Sequence, residues 1–198
     1  MLKEAYPMAK SFSEHERDLI RQNLIKACKT CWNRYGYQKT GIRELAEMAN
    51  ISSGAFYQFY DSKEMLFVAT ADDYQKDLIR LFHENMQQYP GKQGVAESLK
   101  SLRSAMAGMP WLTSMWEEWP VIARKLPPGY IEQDFRKDMV RIAELIEQYH
   151  LVPKHSVETV TQIIDMLMTG LTQFGMTPGE TKEAANLMID AVIDGLFE

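Results

Sequence analysis

The sequence predicts an all-α fold of about nine helices. Apolar side chains recur at a spacing of 3.6 residues along almost the whole chain, which is the period of an amphipathic helix. The sequence has no alternating run of Val, Ile and Thr between turn residues, the pattern that would indicate a strand. With 198 residues the chain can bury a full core, either as one large domain or as a small domain joined to a larger one.

The first predicted helix begins at Ser13, because a serine followed three residues later by Glu16 forms a capping box. A wide apolar stripe then continues to Tyr35, where Gly36 ends the helix. The stripe consists of Leu19, Ile20, Leu24, Ala27, Cys28, Cys31, Trp32 and Tyr35.

Two short helices follow the first. Thr40 is predicted to cap one of them, and the sequence NISS at residues 50–53 breaks it after two or three turns. Ser52 or Ser53 caps the other, which is expected over residues 53–60. A longer helix followed by two short helices and a tight turn is the helix-turn-helix arrangement, whose second helix lies in the major groove of DNA.

The rest of the chain is punctuated by helix-start and helix-stop signals. Asp61 and Glu64 form a second capping box, which opens a long helix that ends before Tyr89. Proline and glycine then separate the remaining helices, predicted near residues 93–107, 110–125, 130–149, 155–174 and 180–197.

Charge is distributed unevenly along the chain, whose formal net charge is −5. Residues 1–63 hold 10 Lys and Arg against 7 Asp and Glu, a net charge of +3, whereas residues 64–198 hold 12 against 20, a net charge of −8. The positive charge therefore lies in the same region as the predicted helix-turn-helix, as binding to phosphate requires.

No run of about 18 apolar residues is present, so the sequence predicts no membrane-spanning helix and no membrane partner. The N-terminal residues also lack an apolar segment followed by a small-residue cleavage site. We therefore expect a cytoplasmic location.

The predicted second helix of the helix-turn-helix divides its side chains between two faces. Phe56, Phe59 and Tyr60 fall on one face and are expected to anchor the helix, since a helix of two turns is marginal in water without buried contacts. On the outer face Gly54 allows a backbone to approach closely, Tyr57 offers a hydroxyl to phosphate, and Gln58 can pair with an adenine edge.

Other polar groups nearby complete the predicted DNA contacts. Hydroxyls and helix N-termini suit phosphate, and Lys63 lies in the first turn of its helix, where a cation is unfavourable unless it meets an anion. The predicted contact residues are Thr40, Gly41, Arg43, Ser52, Ser53, Gly54, Ala55, Tyr57, Gln58 and Lys63.

Residues 40–67, TGIRELAEMANISSGAFYQFYDSKEMLF, resemble the DNA-binding signature of the tetracycline-repressor (TetR) family of bacterial transcriptional regulators. The segment ACKTCWNRYGYQKTGI extends the resemblance back to about residue 27. The positions that match the family pattern are Ala27, Trp32, Gly36, Tyr37, Thr40, Ser52, Gly54, Phe56, Tyr57, Phe59, Tyr60, Lys63 and Glu64.

Two positions depart from the family pattern. Asn50 stands where the turn usually has glycine, and we expect the turn to survive because asparagine tolerates the left-handed conformation. Phe59 and Tyr60 stand where histidine and phenylalanine are common, which puts one phosphate contact in doubt.

The resemblance implies a homodimeric repressor that binds a pseudo-palindromic operator in double-stranded DNA and is released by a small-molecule effector. It implies a DNA-binding domain over residues 1–60 and a ligand-binding and dimerisation domain over residues 61–198. In such a protein the last two helices form the subunit interface, for which we expect Ile163, Ile164, Leu167, Met168, Leu171, Leu187, Met188, Ala191 and Val192.

The effector pocket is predicted from a concentration of large rings and flexible methionines. Glu117 and Glu118 lie beside these rings, so a lipophilic cation is one hypothesis for the effector, and a solvated helix face is the other interpretation of these glutamates. The predicted pocket residues are Phe82, Met86, Met106, Trp111, Met115, Trp116, Trp119, Tyr130, Phe135, Met139 and Phe174, each of which could also be ordinary core.

Enzyme and metal motifs find little support. Cys28 and Cys31 form a C-x-x-C pair, but they share a helix face with core residues, and a zinc site would need a second pair. Glu147 and His150 have the spacing of a di-iron ligand pair, yet no second such pair is present. We expect neither enzyme activity nor a cofactor or metal.

A helical adaptor that binds only protein is the alternative to a DNA-binding regulator. It would explain the helical bundle but not the local positive charge, Gly54 or Lys63.

Overall fold

The computed structural model describes residues 12–107, 118–174 and 182–198, and these residues have the predicted all-α fold. Helices α1, α2 and α3 span Glu14–Lys39, Ile42–Met48 and Ser53–Phe56. The described part of α6 covers residues 118–123. The other helices are α4 (Lys63–Gln88), α5 (Gly91–Ala107), α7 (Tyr130–Gln148), α8 (Val157–Phe174) and α9 (Lys182–Leu196). β-Type pairing within the described ranges is limited to one bridge between Pro153 and Phe197.

Two helix starts agree with the sequence prediction. Ser13 caps α1 in a full capping box, in which the Ser13 N–H donates to the Glu16 carboxylate at 2.8 Å and the Glu16 N–H donates to the Ser13 hydroxyl at 3.3 Å. Ser52 caps α3 by accepting a hydrogen bond from the Ala55 N–H at 3.1 Å. Each cap satisfies a backbone donor that the helix itself cannot pair.

Two other predicted caps are wrong. Thr40 does not cap α2, because its hydroxyl donates instead to the Gly36 carbonyl at 2.7 Å, and Gly41 occupies the cap position without a side-chain bond. Ser62 rather than Asp61 caps α4, where its hydroxyl accepts the backbone N–H three residues further on at 3.2 Å. At each helix start several neighbouring polar residues are possible caps, and their spacing in the sequence does not show which of them is used.

The buried side chains form two clusters. The N-terminal cluster joins α1, α2, α3 and α4, and α6 contributes Ile122 to it. The C-terminal cluster joins α4, α5, α8 and α9, and its buried members include Leu99, Val160, Ile189 and Ile193. Met168 packs against both, so the two clusters are in contact.

The hairpin between α4 and α5 depends on a glycine. A Cβ atom added to Gly94 would lie 2.1 Å from the Tyr89 carbonyl oxygen and 2.8 Å from the Met86 sulfur, both of which are impossible distances. The Ser98 hydroxyl, which donates to the Gly94 carbonyl at 2.7 Å, also lies 3.3 Å from the Phe82 carbonyl across the hairpin. A side chain at position 94 would therefore push α5 away from α4.

No helix in the described ranges is long and apolar enough to cross a membrane.

Replacing Gly94 with alanine tests this packing. We expect Gly94→Ala to lower the free energy of unfolding by roughly 1–3 kcal/mol, the usual cost of overpacking, in urea denaturation. Gly195→Ala in α9 is the matched control, because a Cβ there meets nothing within 4 Å. The control should be neutral or more stable by up to about 1 kcal/mol. Equal stability of the two variants would contradict this account of the hairpin.

Candidate nucleic-acid interface and ligand cavity

The turn between α2 and α3 has the geometry of a helix-turn-helix. Asn50 adopts a left-handed conformation, with φ of 56°, which confirms that asparagine replaces glycine in this turn. The Ile51 N–H then donates back to the Ala46 carbonyl at 3.0 Å, and α3 starts two residues later.

Helix α3 is held from one side by three rings, as the sequence predicts. Phe56 is fully buried, and Phe59 and Tyr60 are half-buried against the N-terminal cluster. Arg17 of α1 also donates to the Gln58 carbonyl at 2.9 Å and lies 5.0 Å from the Phe59 ring centroid. The predicted helix over residues 53–60 is too long, because single turns replace it after Phe56.

The opposite side of α2 and α3 is open to solvent. Tyr57 is 56% exposed, and a Cβ atom added to Gly54 would meet only the Ser52 hydroxyl, at 3.9 Å. Folding therefore does not require a glycine at position 54. The outward face, as we call it, consists of the exposed Gly41, Arg43, Ser52, Ser53, Gly54, Tyr57 and Gln58, with Ala55 partly exposed among them.

Thr40 and Lys63, also predicted to contact DNA, have roles inside the protein. Thr40 is buried. The Lys63 ammonium donates to the Tyr37 and Thr40 carbonyls, each at 2.9 Å, and lies 4.0 Å from the Tyr37 ring centroid. Burial lowers the pKa of Lys63. Two of the three ammonium hydrogens of Lys63 are thus used within the chain, while its contact with DNA stays a prediction.

The C-terminal end of α1 is fixed by a glutamate from α6. Gly36 interrupts α1 with a φ of 75°, and the Glu118 carboxylate accepts the Tyr37 N–H at 2.6 Å and the Gln38 N–H at 3.2 Å. A Cβ atom at Gly36 would lie 3.2 Å from the carboxylate. Glycine is needed here both for its backbone conformation and for the approach of Glu118.

A second set of contacts surrounds the Tyr37 side chain. Its hydroxyl donates to the Glu64 carboxylate, and Lys125 lies 3.0 Å from the hydroxyl and 3.7 Å from the carboxylate. Burial opposes ionisation of Glu64, but hydrogen bonds, first that from Tyr37, and the charge of Lys125 lower its pKa overall. We call Gly36, Tyr37, Glu64, Glu118 and Lys125 the α1–α6 junction.

A cavity of about 670 Å³ lies between α4, α5, α7 and α8. Apolar side chains form most of its wall, and the inward residues Ile142, Leu145 and Ile146 explain why α7 carries an apolar stripe without a fully buried residue. Trp119 reaches the same cavity from α6. Trp119 directly follows Glu118, so the cavity and the α1–α6 junction share a helix.

The predicted pocket residues divide into three groups. Phe82, Met106 and Trp119 line the cavity. Met86 is buried in the C-terminal cluster, and Tyr130, Phe135 and Met139 are half-buried but do not line it. Trp111, Met115, Trp116 and the Phe174 side chain lie outside the described residues, as does Glu117 of the cation hypothesis.

The sequence prediction missed the polar part of the cavity wall. The only available signal was that charged residues interrupt the apolar stripes of α7 and α8. Such residues are usually assigned to the solvent face of a helix. The missed polar residues are Gln75, Asp138, Arg141, Asp165 and Thr169.

The residues predicted for a subunit interface differ in exposure. Leu167 and Leu171 are buried within the chain, whereas Leu187 is 70% exposed and Met188 is 50% exposed. Met166, which was not predicted, is 66% exposed on α8. Of the others, Ile163, Ile164, Met168 and Val192 are half-buried and Ala191 is exposed.

The C-x-x-C pair is part of the core. Cys28 and Cys31 are both buried in the N-terminal cluster, and burial raises the pKa of Cys28 to about 12. A thiol with so high a pKa stays protonated and unreactive at neutral pH. The predicted packing role of these cysteines is confirmed.

A family model described as bacterial regulatory proteins of the tetR family matches residues 24–70. This segment runs from α1 through the outward face to the first turns of α4. The resemblance to the TetR family predicted from the sequence is thus confirmed over residues 24–70.

Similar proteins agree with this match to the TetR family. A helix-turn-helix transcriptional repressor of Mycobacterium tuberculosis is 27% identical over 114 residues, which are 58% of this chain and 54% of that protein. The chain thus spans about half the length of this relative.

Two solved structures show the same fold. RolR in complex with resorcinol has a TM-score of 0.67 at 16% identity, covering 91% of this chain and 90% of that chain. FadR of Bacillus subtilis in complex with stearoyl-CoA has a TM-score of 0.60 at 14% identity, covering 88% and 98%. At such low identities the likeness concerns the fold alone.

The junction can be tested by removing the charge of Glu118. We expect Glu118→Gln to lower the free energy of unfolding by about 1–2 kcal/mol, since the two backbone donors lose a charged acceptor. The measurement is urea denaturation followed by circular dichroism. Glu144→Gln, at an exposed position of α7, is the matched control and should change nothing. Wild-type stability of Glu118→Gln would show that the carboxylate does not fix the end of α1.

Proposed function

We propose that this chain is a ligand-responsive transcriptional repressor of the TetR family, which binds a pseudo-palindromic operator as a homodimer and releases it when a small molecule fills the cavity. The observation that carries this proposal is the outward face, where the fold anchors α3 by buried rings and leaves Gly54, Tyr57 and Gln58 uncovered. A glycine that its own fold does not require suits close approach by another molecule.

The chemistry of the outward face fits the DNA backbone and base edges. Tyr57 and the serines at the start of α3 offer hydroxyls to phosphate, and the Gln58 amide can pair with adenine. The first 63 residues carry a net charge of +3 in a chain of net charge −5, so phosphate is attracted to this end.

A dimer is supported by uncovered apolar side chains on the last two helices. Met166, Leu187 and Met188 are each at least half exposed, on α8 and α9. Burying such side chains against a second copy would remove apolar surface from water. Two copies would also present two outward faces, and spacing near 34–36 Å or its multiples suits a palindromic site.

Release by a ligand is supported by the position of α6. Glu118 holds the end of α1, and the next residue, Trp119, lines the cavity. Ile122 is buried in the N-terminal cluster. A molecule that displaces Trp119 would therefore move the support of the DNA-binding helices. A coupling free energy of about 1–3 kcal/mol would change DNA affinity roughly 5- to 150-fold.

The ligands of other proteins with this fold indicate what size of effector the cavity can hold. RolR is described with resorcinol and FadR with stearoyl-CoA, so the fold accommodates both a small phenol and a long acyl group. A cavity of about 670 Å³ lies within the range of small-molecule sites.

The experiment that tests the proposal is selection of genomic DNA fragments by the purified chain, at about 50 mM and about 200 mM salt, followed by sequencing. We expect a palindromic sequence to be enriched and binding to weaken steeply at the higher salt. Binding without sequence preference, or no binding at all, would favour the protein adaptor and contradict the repressor.

Gly54→Ala separates DNA binding from folding. The added methyl group should weaken binding to the selected fragment by roughly 5- to 150-fold, corresponding to a steric cost of about 1–3 kcal/mol, in a fluorescence anisotropy titration. Stability should be unchanged or higher, because alanine favours a helix more than glycine does. Val140→Ala, at an exposed position of α7, is the remote control. Wild-type affinity of Gly54→Ala would show that DNA does not approach this glycine.

Leu187→Glu tests the homodimer. Because Leu187 is largely exposed in one chain, we expect the variant to fold normally and to sediment as a monomer in analytical ultracentrifugation, whereas the wild type sediments as a dimer. Val140→Glu, at an exposed position of α7, is the matched control and should remain dimeric. A dimeric Leu187→Glu variant would exclude this part of α9 from the interface.

A further inference from the structure

The polar side chains of the cavity wall gather where α4, α7 and α8 meet. Gln75 of α4 donates to the Asp138 carboxylate at 3.3 Å, and Arg141 of α7 pairs with the same carboxylate at 2.7 Å. Asp165 of α8 contributes a second carboxylate to the wall. One part of an otherwise apolar cavity is therefore charged.

The charges there do not cancel. Arg141 is the only cation among the described lining residues, and Asp138 already neutralises it. Asp165 has no hydrogen-bond or ion-pair partner among the residues that the structure describes. The charged groups that act on it are the carboxylates of Asp138 and Asp134. Because Asp138 is paired with Arg141 at 2.7 Å and Asp134 with Lys137 at 4.0 Å, the excess negative charge of this part of the cavity is that of Asp165 itself.

The environment of Asp165 disfavours its charged form. Asp165 is solvent-exposed in the single chain, but desolvation by the surrounding side chains first, and then the charges of Asp138 and Asp134, raise the pKa of Asp165 to about 6. A positive charge close to an aspartate would favour the ionised form and relieve this destabilisation. An anionic ligand would further disfavour the charged form of Asp165, and Arg141 is already paired with Asp138.

We propose that the effector combines an apolar body with a basic nitrogen, and that Asp165 is the anchor for this nitrogen and determines the charge specificity of the cavity. The inference rests on the proposed ligand-responsive function. It replaces the glutamates of the lipophilic-cation hypothesis with one different carboxylate, that of Asp165, because Glu118 is bound to the α1–α6 junction. Phe82 and Trp119 supply aromatic surface for the apolar body.

Three probes with one carbon skeleton test the charge preference. They are 4-phenylbutylamine, 4-phenylbutan-1-ol and 4-phenylbutanoate, titrated into the full chain by isothermal calorimetry. We expect the amine to bind about tenfold more tightly than the alcohol, a difference of about 1.4 kcal/mol, and the carboxylate to bind most weakly. Equal binding of all three, or a preference for the carboxylate, would overturn the proposal without any variant.

The variant Asp165→Asn tests whether Asp165 causes the preference for the amine. The substitution preserves size, so the amine and the alcohol should bind the variant equally, while the alcohol binds variant and wild type alike. Asp77→Asn, at an exposed position of α4, is the matched control and should retain the wild-type preference. Circular dichroism checks the fold of each variant. An unchanged preference for the amine in Asp165→Asn would overturn the role of Asp165.

Dependence on pH provides an independent readout. An alkylamine stays protonated below pH about 9, so its affinity for the wild type should rise between pH about 5 and about 7.5 as Asp165 ionises. The alcohol should show no such rise, and neither should the amine with Asp165→Asn. Asp134, Asp138 and Arg141 from α7 face the same region. If the affinity of Asp165→Asn for the amine still rose with pH, the titrating group would be one of these residues, and the proposal would be contradicted.

The outcomes separate this proposal from the proposed function. Selection of a palindrome without a preference for the amine would leave the repressor intact and reject the charge specificity. A preference for the amine in a chain that selects no DNA would reject the repressor and leave the cavity specific for cations.

Discussion

The arrangement of the DNA-binding helices depends on the contact between the Glu118 carboxylate and the end of α1. Helix α1 is kinked at Gly36, whose φ of 75° is not helical, directly before the backbone N–H groups of Tyr37 and Gln38. Glu118 accepts both, at 2.6 and 3.2 Å, and thereby fixes the chain segment that leads into α2. Lys63 supports the same segment from α4 through two carbonyls. The outward face is thus positioned by helices that lie outside α2 and α3.

This dependence follows from the small size of α2 and α3. Helices of 7 and 4 residues are too short to be stable alone, so tertiary contacts must hold them. Phe56 supplies a buried anchor worth about 1.5–3 kcal/mol, and Arg17 holds the turn after α3. Because all of these contacts lie on one side, the other side stays free for a partner. Because Trp119 of α6 lines the cavity and α6 supports these helices, a ligand in the cavity can affect the outward face through α6.

Much of the fold could be predicted from the sequence because its signals are local. The capping box at Ser13, the left-handed Asn50 and the inward rings of α3 each follow from a few neighbouring residues, and each is confirmed. Long-range contacts could not be predicted in this way. Nothing near Lys63 indicates that it binds the end of α1, and nothing near Asp165 indicates that α8 turns it toward a cavity shared with α4 and α7.

Amide hydrogen exchange of the chain, free and bound to a genomic fragment that it selects, tests whether the outward face binds DNA. Each amide reports its own protection, so the experiment maps the DNA contact without any substitution. We expect DNA to slow exchange across residues 41–58 and to leave the exchange of the α7 amides unchanged. Protection that spares residues 41–58 while the fragment is bound would contradict the assignment of the outward face to DNA.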